Sequence, residues 1–304
     1  LNEKGDDQAR LVAFYDKLRK ITEIEGSLYD AFGKQVKRLR KSDIQDVSMV
    51  SNGQLFEDNR LKIAQFAYAQ YPYTVEFSYE TVVYNTLAYP VWDVQIDNEV
   101  SIEKATFTVN MPTGTELRYR EEHLPKGVVI SNTTTGKQYT WQLTSLPTFE
   151  WNAHLTPTVY TTATDFEVEG YKGSMRSWAD IGKFFYDLNE GRDELPEANK
   201  QKVLQLVSNE KTPAAKVKKL YEYMQANTRY VGVQLGIGGW QTIPATTVAE
   251  VGYGDCKALS NYMKAMLKVA GITSYTASVN AGPDEDEVMV DFPNPYFNHV
   301  ILCV

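Results

Sequence analysis

The chain has 304 residues, about twice a typical single-domain length, so two domains are expected. Apolar residues make up 43% and charged residues 23%, which excludes a disordered chain and leaves side chains enough for two cores. Lys+Arg 31 against Asp+Glu 39 gives a net charge of −8, which argues against general affinity for nucleic acid or an anionic membrane surface. No apolar run approaches the ~20 residues of a membrane-spanning helix. The two cysteines, Cys256 and Cys303, exclude a disulfide framework and leave the redox compartment unspecified. A start at Leu1 points to a leader removed upstream.

Strand-like pieces come first along the chain. Residues 27–32, 35–40, 74–84, 102–111, 115–120, 128–132 and 137–143 are rich in Val, Ile, Thr, Tyr and Phe and lie between turn signals. Turns are expected at Phe32-Gly33-Lys34 and Thr135-Gly136-Lys137. Across 74–84, Val75, Phe77, Tyr79 and Val83 alternate with Glu76, Ser78 and Glu80, the period of a half-buried antiparallel strand. No long helical period interrupts this region, so an antiparallel β-sandwich is predicted.

Near Gly170 the texture changes. Residues 177–188 and 198–207 read as helices. Thr212-Pro213 starts a third, with an N-cap hydroxyl and Pro at the first helical position, ahead of Val217, Leu220, Tyr221 and Met224 at helical spacing. The best helix follows Tyr253-Gly254-Asp255-Cys256-Lys257. Leu259, Met263, Met266, Leu267 and Ala270 share one face, and Gly271 stops it. A strand over 272–281, an acidic loop at 284–287 and a strand over 297–304 follow. The order predicts a two-domain α+β protein, with a β-sandwich over 1–170 and a core of helices followed by strands over 171–304. The texture itself changes between Tyr160 and Ser177.

Cys256 falls in the first turn of the best helix, where the macrodipole and unpaired N–H groups favour thiolate, the nucleophilic form. Asp255 can cap that helix, although its charge partly opposes a thiolate. Gly252 and Gly254 leave room for a substrate backbone to approach the sulfur. The competing reading of Cys256 is a small buried hydrophobe at a helix start. His299 lies in a later strand whose end can reach the helix N-terminus; it reads equally as an edge-strand histidine. Of the other two histidines, His123 reads as a solvated turn and His154 as packed near aromatic residues.

Metal and nucleotide chemistry fit less well. On a strand, His299 and Cys303 stand about 13 Å apart, too far to share an ion. No metal or other cofactor is predicted, and Cys303 reads as core packing that resists alkylation. Gly236-Ile237-Gly238-Gly239-Trp240-Gln241 lacks the third glycine of a dinucleotide fingerprint. The 284–287 loop lacks the ligand spacing of a calcium loop and reads as a solvated hairpin tip. Lys34, Lys37, Arg38, Arg40 and Lys41 read as the wet face of an early hairpin.

Tyr253-Gly254-Asp255-Cys256-Lys257, the capped helix ending at Gly271-Ile272, and Phe297-Asn298-His299-Val300 together resemble the transglutaminase-like superfamily, papain-like in fold. The resemblance covers 210–304. The β-rich residues 20–165, ahead of the Ser177-Trp178 helix, resemble the DUF3857 domain that precedes such cores in secreted proteins of Bacteroidetes.

The resemblance implies a Cys–His–Asp triad acting on peptide or isopeptide bonds. Cys256 would be the nucleophile and His299 the general base. The backbone N–H of Cys256 would form part of the oxyanion hole, with Trp240, or Gln241 in the papain manner, as its side-chain donor. Gly254 and Asp255 would line the binding site. It also implies a periplasmic or cell-surface location and a peptide, protein or peptidoglycan-like amide substrate.

The chain departs from the family pattern at two points. Ala258 stands where an acidic residue is usual, and the orienting carboxylate, which should follow on the next strand after His299, either lies beyond Val304 or is missing. Asp291 precedes the histidine and is out of place for that role. The alternative is an inactive scaffold whose sandwich binds a polymer or protein partner, for which an aromatic content of 12% with 20 Tyr is suited.

Overall fold

The computed structural model describes residues 3–49, 54–150, 156–282 and 287–304. The fold is α+β, with antiparallel strands first and helices after. The chain forms two compact units. One comprises Leu1–Tyr84, Asp187–Asp286 and Phe297–Val304, the other Asn85–Tyr186 and Glu287–Tyr296.

The first unit begins with β1 (Arg10–Tyr15), β2 (Arg19–Tyr29), β3 (Gln35–Arg38), β4 (Ile44–Ser48), β5 (Gln54–Glu57), β6 (Arg60–Gln65) and β7 (Thr74–Val83). All but β5 make two antiparallel three-stranded sheets, β3-β2-β7 and β1-β6-β4. The core they share holds Ala9, Leu28, Phe66 and Tyr73, with Phe66 stacked on Phe77 at 5.2 Å. The alternation expected across 74–84 holds at Val75 and Phe77, which pack on this core. It fails beyond, where Tyr79 and Val83 are exposed.

The second unit carries β8 (Trp92–Asp93), β9 (Ile102–Pro112), β10 (Leu117–Glu122), β11 (Val129–Thr133), β12 (Gly136–Leu146), β13 (Thr158–Ala163), β14 (Asp165–Val168), β15 (Tyr171–Ser174) and most of α1 (Trp178–Leu188). Sheets β11-β12-β9 and β10-β13-β8 face each other across Met111, Leu117, Tyr139, Trp141 and Val159. The rings of Trp92, Phe107 and Trp141 stack in series at 5.6 and 5.5 Å. The β-rich half is therefore two small sandwiches, one in each unit.

The segment Glu287–Tyr296 is held within this second unit. The Tyr296 hydroxyl donates to the carbonyls of Thr161 (2.9 Å) and Tyr89 (3.2 Å), and the Trp178 indole donates to the Val290 carbonyl (2.7 Å). The Arg118 guanidinium lies 5.2 Å over the Phe292 ring.

The remaining elements belong to the first unit: α2 (Glu197–Val207), α3 (Pro213–Asn227), β16 (Arg229–Tyr230), β17 (Gly232–Gln234), α4 (Ala245–Val251), β18 (Tyr253–Gly254), α5 (Cys256–Val269), β19 (Tyr275–Val279) and β20 (His299–Cys303). Thr212 caps α3 through Ala215 N–H (3.2 Å), as its position predicts. β17 pairs in parallel with β5. In α5, Met263, Met266 and Leu267 are buried as predicted, and so are Ala258, Tyr262 and Ala265 on other faces. The whole helix, rather than one stripe, is packed among Leu195, Val203, Val207, Leu220, Met224 and Val248.

A short segment before α2 ties the helical layer together. The Arg192 carbonyl accepts from Asn261 Nδ2 of α5 (2.7 Å) and from the Ala245 N–H that begins α4 (2.8 Å). Asp193 pairs with Lys264 (3.2 Å) and Lys268 (3.1 Å), fixing the distal half of α5. Burial pushes the Asp193 carboxyl up, but the two lysines outweigh it and hold it below its ordinary range.

A depressed carboxylate stabilises the fold above its unfolded pKa and loses that contribution as pH falls through the folded one. Asp193→Asn is expected to lower stability by about 1–2 kcal/mol at neutral pH. The difference from wild type should vanish at strongly acidic pH, as followed by urea unfolding at several pH values.

Candidate active site

Cys256 is the first residue of α5, a helix of 14 residues, and is half-buried. The turn before it is built from the inside. Gly252 closes α4 at φ +69°, a left-handed conformation that favours glycine, and its N–H bonds the Val248 carbonyl at 2.9 Å. Arg229 N–H and Val231 N–H bond the carbonyls of Gly252 and Gly254, each at 2.9 Å, and lock β16 beside β18.

Asp255, 2% exposed, caps α5 by accepting from Ala258 N–H at 2.9 Å. Its other oxygen accepts from the buried ammonium of Lys257. The charge that opposes a thiolate beside it is thus paired by the residue on the other side of the sulfur. No part of the sequence pattern isolates Lys257 for that task; its partner is visible only in the fold.

The space that Gly254 leaves is not open to substrate. A Cβ there would lie 2.6 Å from the Ala258 Cβ and 3.7 Å from Val248 Cγ2, so the notch is filled by the helix itself. This gives Ala258, fully buried, a packing reason where the family pattern has an acidic residue. The described contacts of Gly254 and Asp255 are therefore internal.

His299 opens β20, pairs across the ladder with Val279 and is half-buried. Ser260, one turn along α5 from Cys256, donates to the Val300 carbonyl at 3.4 Å. That bond sets the start of β20 against the first two turns of α5, the arrangement the sequence predicts. Cys256 and His299 share no hydrogen bond. Among the described residues no carboxylate is bonded to His299.

Tyr230, which the sequence did not single out, stands across the ladder from Gly254 in the turn ahead of Cys256. Its signal was faint: a strand of two residues, Arg229–Tyr230, which pairs with the two residues ahead of Asp255. Burial, then the charge and hydrogen bond of Cys256 and the charge of Asp255, push its phenol above the usual range.

The loop carrying Trp240 and Gln241 begins with a single 3-10 turn, Gly236–Gly239, which agrees with rejecting a dinucleotide fingerprint there. Both Trp240 N–H and Gln241 N–H bond the Ile237 carbonyl. The Gln241 amide donates to the Leu188 carbonyl at 2.9 Å, and Thr242 N–H donates to Asn189 Oδ1 at 2.8 Å. Trp240 is half-buried.

Of the remaining candidates, His123 is exposed in a turn at φ +54°, as expected. His154 and residues 284–286 of the acidic loop lie outside the described residues. Asp291 pairs with Arg120 in the other compact unit. Cys303 corrects the reading of a packed, inert thiol. It is exposed, on a strand with only one paired edge, and is open to alkylation.

The segment with Cys256 at its helix start has counterparts among known proteins. Residues 200–298 match the transglutaminase-like superfamily. That match includes Cys256 and ends one residue before His299. Residues 1–150 match DUF3857, a domain of unknown function with a solved structure. The crystal structure of a "putative protease" from Parabacteroides distasonis superposes with a TM-score of 0.71 at 14% sequence identity. It shows the same fold. The superposition covers 99% of this chain and 59% of that one, so the chain spans about three-fifths of its neighbour's length. No curated protein matches the chain. Among the described residues, no helix is long and apolar enough to cross a membrane.

The packing at the start of α5 makes two stability expectations. Gly254→Ala should cost about 1–3 kcal/mol through overpacking against Ala258, and the double variant with Ala258→Gly should recover part of it. Lys257→Met, which leaves Asp255 buried without its cation, should cost about 3–5 kcal/mol. Urea midpoints check both.

Proposed function

We propose that this chain carries a thiol acyl-transfer site acting on amide bonds of a peptide, protein or peptidoglycan-like substrate outside the cytoplasm. The observation that carries the reading is Cys256 at the capped start of a buried helix, with His299 entering on the strand that Ser260 holds against the same helix. The transglutaminase-like match and the protease-class neighbour support it.

In this reading the thiol proton passes to the His299 imidazole, and the sulfur attacks the amide carbonyl carbon. A C–S bond forms while the carbonyl π pair moves to oxygen. The C–N bond then breaks, the amine leaves with the proton from His299, and a thioester stays on Cys256. Water or a second amine attacks the thioester, gives its proton to His299 and frees the sulfur. The Cys256 N–H, unpaired within the helix at its first position, is the proposed oxyanion donor. Trp240 and Gln241 are the sequence-based candidates for a side-chain donor beside it.

One observation favours a second reading, a non-catalytic scaffold whose sandwiches bind a polymer or protein: among the described residues no hydrogen bond joins Cys256 to His299 and no carboxylate is bonded to His299.

An activated ester separates the two. In a Cys303→Ser background, p-nitrophenyl acetate should acetylate Cys256, as located by peptide mass mapping. His299→Ala should slow the reaction by about 10²–10⁴-fold. Cys256→Ala should remove it with little change in melting temperature. Absence of acetyl-Cys256, or indifference to His299→Ala, favours the scaffold.

A further inference from the structure

The ladder between β19 and β20 ends at the pair Val279 and His299. Strand ends open first, because a terminal rung is supported on one side only. His299 therefore stands where its own strand is least held. Beyond it the two chains part, and of the residues between them Glu287–Tyr296 belong to the other compact unit.

One side chain closes the neck of that excursion. Asn298 Oδ1 accepts from the Ala281 N–H at 2.8 Å, and Asn298 Nδ2 donates to the Ala281 carbonyl at 3.1 Å. The side-chain amide thus stands in for a peptide group, offering the facing chain one donor and one acceptor. Asn298 is exposed, so these two bonds, rather than packing, are what its side chain contributes. On the other side of His299, the Val300 carbonyl takes the Ser260 hydroxyl at 3.4 Å. Both chain neighbours of the histidine are thereby pinned, one to the segment leaving β19 and one to α5.

We propose that Asn298 is a positioning residue for His299, its amide clamp on Ala281 holding the end of β20 so that the imidazole keeps its place beside the first turns of α5. The inference rests on the acyl-transfer reading above. A proton acceptor serves the sulfur only within hydrogen-bond reach, and a loosened strand end spreads the imidazole over many positions. An amide is the group for this task. A carboxylate at 298 would accept but not donate, and an alkyl side chain would do neither.

The test compares two reactions of the Cys256 sulfur in the Cys303→Ser background. Acetylation by p-nitrophenyl acetate near neutral pH draws on His299, whereas alkylation by iodoacetamide at its high-pH plateau needs no imidazole. Asn298→Ala is expected to slow acetylation by about 10-fold. The alkylation plateau should be unchanged, with a cooperative melting transition confirming the fold. With His299→Ala already in place, Asn298→Ala should slow acetylation no further, since the clamp acts through the imidazole. Acetylation at the wild-type rate in Asn298→Ala overturns the proposal. So does an equal change in both reactions, or the same loss with the imidazole absent, because either marks a general structural role. If the chain with Asn298 in place is not acetylated at Cys256, or is indifferent to His299→Ala, the acyl-transfer reading fails first and this inference with it.

Discussion

Asp255 is almost completely buried, and both of its oxygens are occupied: one by the Ala258 N–H at the start of α5, the other by the Lys257 ammonium. A charge in that position is tolerable only because it is paired and hydrogen-bonded, and removing one partner leaves the other stranded at a cost of several kcal/mol. The pair sets where α5 begins, and therefore where Cys256 stands. It also places a cation beside the sulfur that offsets the carboxylate on the other side. Everything that the candidate site can do begins with that local charge balance.

Around it the fold supplies position. The Arg192 carbonyl binds α4 and α5 together, and the neighbouring Leu188 and Asn189 hold the loop of Trp240 and Gln241. Ser260 and the Val279–His299 ladder pair fix the histidine strand. These are backbone-directed bonds at 2.7 to 3.4 Å, and they place the first turn of α5, the glycine-rich turn and β20 within one compact unit.

Much of this was legible along the chain where a residue type has only one reasonable use. Thr212-Pro213 reads as a helix start because a hydroxyl cap and a proline need no tertiary help. Several strands with mixed polar and apolar faces were recognisable for the same reason, although Arg10–Tyr15, Ile44–Ser48 and Arg60–Gln65 were not. Thr158–Ala163 was not, because it is a threonine-rich strand buried along nearly its whole length, and alternation disappears when both faces are covered. Ala245–Val251 was missed as a helix because Thr246, Thr247 and Val248 are weak helix formers; burial of Ala245 and Val248 against α5 overrides that propensity.

The linear sequence by itself determined the α+β order, the start and end of α5, and the presence of one cysteine at a helix tip and one histidine on a later strand. These follow from short-range rules, since caps, periods and turns act over a few residues. Only the tertiary structure decided that the β-rich half forms two sandwiches, that Lys257 neutralises Asp255 and that Cys303 faces solvent. Each of those depends on which distant segment lies alongside, and a contact between residues far apart in the chain leaves no mark in the local pattern of either one.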